Sequence, residues 1–166
     1  MMLGMSLATF TVVHVLISLV GILSGFVVLF GMLGGRRLDS WTGLFLATTV
    51  LTSVTGFGFP FEHLLPSHIV GIISLAVLAI AVAARYAFHL GGAWRSIYAV
   101  GATLALYLNV FVLVVQSFLK VPTLHALAPM GNEPPFLIAQ LVVMAGFLAL
   151  GTLATKRFRH AALGAA

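Results

Sequence analysis

The sequence predicts an all-α integral membrane protein, a bundle of about five transmembrane helices with the N-terminus outside and the C-terminus cytoplasmic. Three observations carry this reading. Hydrophobic residues make up 61% of the chain and charged residues only 7%, which is too little polar surface to clothe a soluble domain of 166 residues. The apolar residues fall in runs of the ~20 residues needed to cross a hydrocarbon core of ~30 Å. The basic residues gather in alternate connections, as retention of Lys and Arg on the cytoplasmic side requires.

The whole chain, 1–166, reads as one transmembrane domain with spans at 7–33, 41–60, 66–90, 94–118 and 135–155. The first run is long enough to be tilted, and Gly34-Gly35-Arg36-Arg37-Leu38-Asp39 closes it. Amides cannot be left unsatisfied in lipid, and the period-two alternation of a β-barrel is absent, so the runs are helices. With five spans, the connections after the first and third helices and the C-terminal tail share a side. That side holds Arg36, Arg37, Arg85, Arg95, Lys156, Arg157 and Arg159, while the other holds only Lys120. Trp41, Trp94, Tyr86 and Tyr98 lie at the basic side, where aromatic rings anchor at the headgroups. No charge precedes Arg36, so the first helix is expected to be retained rather than cleaved as a signal peptide. The expected location is a bacterial inner membrane, crossed several times.

The net charge of +5 is spread over helix ends and not clustered with interleaved aromatics, so nucleic acid is excluded as a partner. The absence of cysteine removes disulfides, thiolate metal sites and covalent haem attachment. Fingerprints of phosphate loops, dinucleotide sites, nucleophile elbows and zincins are missing. Ser67 beside His68 is a sequence neighbour and not a triad, and the single aspartate, Asp39, lies in a basic connection where it cannot serve an intramembrane aspartyl mechanism. No internal repeat points to an inverted-repeat transporter. The sequence assigns no enzymatic activity.

Candidate chemistry concentrates at the outer end. Of the six histidines, His14, His63, His68 and His125 fall on that side, as do both glutamates, Glu62 and Glu133. His14 sits about two turns inside the first helix. Asn109 and Gln116, seven residues apart, share a stripe of the fourth helix, and Gln140 lies about one turn into the last. Thr48, Thr52 and Thr55 line a face of the second helix, and His14, Ser18, Gly21 and Gly25 one of the first. Because polar groups in hydrocarbon turn inward, these stripes are expected to converge on a polar chamber open to the outside.

Each feature also has a plainer explanation. Gly21-Ile22-Leu23-Ser24-Gly25 is a small-residue motif of the kind that packs helices, Asn109 and Gln116 can be interhelical donors, and His63 and His125 can simply be solvated. His14 is different, because an ionisable side chain within the bilayer is by default a functional candidate. The expected function is redox or electron transfer through haem b or a transition metal (copper, zinc or iron), held by periplasm-facing histidines. His14 and His68 form the haem pair, with Gly71 leaving room for the porphyrin. His63, His68, His125 and Glu62 form the metal set. One alternative is a non-catalytic accessory subunit packing through small-residue faces into a larger membrane complex or a homo-oligomer. The other is quinone or small-solute handling along Ser18, Asn109, Gln116 and Gln140. The lipid bilayer is the partner common to all three.

Overall fold

The structure is a computed structural model that describes residues 4–59 and 66–163. The described chain is helical, with no strand. Ser6 opens the first helix, α1 (Leu7–Leu33), by accepting the Thr9 amide at 3.1 Å, the usual role of an N-cap serine. Gly35, in the left-handed region at φ +68, turns the chain into α2 (Asp39–Gly56). Next come α3 (Pro66–Val82), running into a π-helical turn at Ala83–Ala87, and α4 (Trp94–Lys120). The short α5 (Pro122–His125) leads to α6 (Pro134–Leu163).

Four helical segments are long and apolar enough to cross a membrane: Leu7–Leu33, Ser67–Ala87, Trp94–Lys120 and Pro134–Ala161. Helix α2 has the length but carries five threonines, two serines and Asp39 among its 18 residues, which lowers its apolarity. The element boundaries also differ from the expected spans. Helix α2 begins two residues before Trp41 and ends at Gly56, ahead of Phe57-Gly58-Phe59, and α6 extends to Leu163, beyond the apolar run.

Helix α4 is the hub. Its small residues Ala99, Ala102 and Ala105 are fully buried and let α1, α3 and α6 approach closely, while α2 packs between α1 and α3. Among the described residues α1 and α3 do not touch each other. The Gly21 and Gly25 motif is a packing surface. A Cβ at Gly25 would stand 2.6 Å from Leu106 of α4 and 2.9 Å from Phe45 of α2. In hydrocarbon such close fit replaces the hydrophobic effect as the force between helices.

The ends of α1 and α6 and the π turn meet the starts of α2 and α4 at one end of the bundle. Arg157 donates to the Leu33 carbonyl at 3.4 Å, Arg95 donates to the Phe158 carbonyl at 2.6 Å, and Arg85 is paired with Asp39. Seven of the eight basic residues therefore sit on elements of this end, and Lys120 closes α4 at the other.

Candidate functional site

The end of α2 remote from the basic residues, called the outer end because the sequence predicts it to face outside, organises the candidate site. Thr55 spends its one hydroxyl hydrogen on the Leu51 carbonyl at 2.7 Å, so its oxygen receives the bond it shares with His14 Nδ1 at 2.8 Å. His14 Nδ1 must therefore carry the proton, an assignment that follows from the hydrogen-bond pattern. Its Nε2 then bears the lone pair. Phe59 meets the half-buried imidazole edge-on at 5.1 Å between ring centres, and Phe10 packs against Phe59 at 5.0 Å. Ser18, one turn deeper, returns its hydroxyl to the His14 carbonyl at 2.8 Å.

His68 lies across α2 from His14. Its ring is buried and packs against Phe57 at 5.6 Å. The space above Gly71 is taken by the same Phe57, whose ring atoms would stand 3.2 Å from a Cβ there. The structure thus brings His14 and His68 to the same end of α2 but on opposite sides of it, His14 on α1 and His68 on α3. His125 is exposed on α5. Glu62 and His63 lie outside the described residues. Among the described residues no three His, Asp or Glu side chains stand close enough to share a metal ion.

The polar interior is a set of pairs. Asn109 donates to Thr49 at 3.3 Å, and Ser53 donates to Ser74 at 3.1 Å. Gln140 is buried and donates to the Phe111 carbonyl at 3.2 Å, while its own carbonyl oxygen finds no partner among the described residues. Gln116, on the same stripe as Asn109, is exposed. On α2 the fully buried polar positions are Thr42, Thr49 and Ser53. Thr48 and Thr55 return their hydroxyls to the helix backbone, and Thr52 is half-buried, its hydroxyl oxygen enclosed and without a partner among the described residues. The two best-formed concavities lie elsewhere, one at the basic end and one as an apolar groove of about 350 Å³ between α3 and α4.

The basic end holds a constellation not foreseen from the sequence. Arg85 has a side chain only 4% exposed, paired with Asp39, which also stands 3.8 Å from Arg37. The guanidinium lies 5.4 Å from the ring centre of Tyr98, whose hydroxyl donates to Thr42 at 3.3 Å. The π turn aims Arg85 inward, and it ends in two successive left-handed residues, His89 (φ 52) and Leu90 (φ 59). Beside it Phe88 stacks flat on Trp94 at 3.8 Å. One signal was available in the sequence: Asp39 is the single aspartate and the sole carboxylate among the basic residues of that end.

The comparisons with known proteins bring nothing further: no protein family, no curated protein and no solved structure matches the chain.

Proposed function

We propose that the chain crosses a bacterial inner membrane five times, N-terminus outside and C-terminus cytoplasmic, and binds a lipid-soluble quinol, the reduced form of a quinone, at its outer end through His14. Support for the topology is the gathering of seven basic residues at one end of the bundle, together with the close embrace of α2 by α1 and α3. Most hydroxyls of α2 are hydrogen-bonded, to its own backbone or to a neighbouring helix, which makes it cheaper to hold in lipid than its composition suggests.

The observation that carries the ligand reading is the His14–Thr55 bond. It orients the imidazole, and in the neutral ring it directs the Nε2 lone pair away from Thr55, where it can accept a hydroxyl hydrogen. The edges of Phe59 and Phe10 supply an apolar, aromatic wall suited to a flat ring. The bilayer supplies the route of entry, so no aqueous chamber is needed.

The same lone pair favours a second reading, in which His14 is a ligand to haem b or a transition metal. An imidazole anchored through its other nitrogen is the usual arrangement of a metal-binding histidine. A haem held by both His14 and His68 would have to displace the end of α2 that separates them.

The test is made on detergent-purified protein, by solvent extraction and chromatography of co-purifying quinones. Ultraviolet–visible spectra, oxidised and dithionite-reduced, and elemental analysis are taken on the same sample. Wild type is expected to carry quinone and His14→Ala to lose it while remaining helical. Equal quinone in both would overturn the assignment. A Soret band lost in His14→Ala would shift it to haem, and stoichiometric metal without that band would shift it to a metal site.

A further inference from the structure

The basic end contains a tight cleft lined by Arg36, Arg37, Thr42, Arg85, Tyr98 and Phe158 among others. Three guanidiniums border it. Arg85 and Arg37 share one carboxylate, Asp39, and Arg36 has no carboxylate partner among the described residues. Counting the three arginines against Asp39 leaves an excess of two positive charges where α1 ends and α2 begins. Such an excess at a packed helix junction attracts a second anion.

The charge is not the ordinary decoration of a basic loop. Arg85, on the π turn, lies inside the protein and engages Asp39 most closely, so at the surface Arg36 has no carboxylate partner among the described residues and Arg37 has only a share of Asp39 at 3.8 Å. Under them lies an apolar floor that includes Phe158. Trp41 and Tyr86 stand exposed on adjoining elements, as residues of a headgroup layer do. The cleft itself is too tight for a water molecule, so an anion would lodge at its mouth, between the two exposed arginines.

We infer that the mouth of this cleft binds the phosphodiester of an acidic phospholipid through Arg36 and Arg37, above the pair formed by buried Arg85 and exposed Asp39. The chemistry recognised is a phosphate monoanion. Its source is a lipid, because the site sits at the rim of membrane-spanning helices beside apolar surface, where the headgroup is already concentrated. The inference is independent of any ligand at His14.

The experiment uses the full chain in detergent micelles doped with phosphatidylglycerol or phosphatidylcholine, reading the thermal unfolding midpoint and the lipid retained in native mass spectrometry. Phosphatidylglycerol is expected to raise the midpoint more than phosphatidylcholine. Arg36→Gln, which breaks no ion pair, is expected to weaken phosphatidylglycerol retention about fivefold, and Arg36→Gln/Arg37→Gln further, since each basic residue at a membrane surface contributes ~1 kcal/mol. Lys156→Gln/Arg159→Gln at the same end is expected to change retention little. Equal effects of the two lipids, or unchanged retention in Arg36→Gln, would overturn the inference. The same midpoint shift with inorganic phosphate alone would overturn the lipid source.

Discussion

At the basic end one carboxylate anchors a buried guanidinium, and side chains from five elements interlock around it. At the outer end the side-chain links between helices found among the described residues are neutral: His14 to Thr55 and Gln140 to the Phe111 carbonyl, with aromatic rings filling the spaces between. The contrast is one of stakes. A buried charge that loses its partner is left unsolvated, whereas a neutral hydrogen bond that is lost costs little. The basic end is therefore built to hold, and the outer end can exchange one polar partner for another. The ligand proposed at His14 belongs at the second kind of end, where a lone pair can be offered without loosening the bundle, whereas the lipid proposed at the first rests on its surface and leaves the buried guanidinium in place.

Breaking the comparison begins with Asp39→Ala, which strands Arg85. The expected loss is ~2 kcal/mol, at the low side for a buried pair because Asp39 itself is 69% exposed. Thermal unfolding in detergent measures it, and Asp39→Ala/Arg85→Leu should recover part of the loss. If the single substitution were silent, the basic end would not be the anchor.

Packing between the two ends is tested at Gly25. Gly25→Ala forces a methyl against Leu106 and Phe45, so ~1 kcal/mol is lost despite alanine's better helix propensity. Gly146→Ala, with nothing within 4 Å, should be neutral or slightly stabilising in the same assay.

At the outer end Thr55→Val removes the anchor of His14 Nδ1 and should cost no more than ~1 kcal/mol. Ligand loss with little destabilisation would sharpen the contrast. Destabilisation as large as that of Asp39→Ala would abolish it.

The smallest effect is expected at Glu133. Its carboxylate accepts the Met130 amide at 2.8 Å and the Asn132 amide at 3.0 Å, and the Met130 bond above all holds its pKa below the usual glutamate range. A depressed carboxyl pKa stabilises the fold above the unfolded glutamate value, and that contribution fades as pH falls through the folded one. Amide exchange at Met130 and Asn132 should rise in acid relative to Glu133→Gln, with the helices unaffected.

The apolar runs made the helices legible, because length and hydropathy are local properties. Helices α1 and α4 begin at the expected residues, Leu7 and Trp94. What sequence could not supply was the neighbour of each face. Asn109 and Gln116 do share a stripe, yet among the described residues Asn109 meets Thr49 while Gln116 stands exposed. His14 stood out as an ionisable residue in an apolar run, but its tautomer depended on Thr55, 41 positions away. His68 and Gly71 share α3 as expected, and Phe57 from α2 decides what fits there. Arg85 read as a topological charge, because the π turn that aims it inward leaves no mark in composition.

That turn has a consequence for how the chain tolerates change in length. A π turn holds one more residue than the α-helix it interrupts, so deleting a single residue within 83–87 would leave an ordinary helix. The flanking residues would keep nearly the same facing, because a π turn absorbs its extra residue by unwinding, and the change would fall on the residues of the turn itself, Arg85 among them. Helicity would survive, and the guanidinium would no longer point at Asp39.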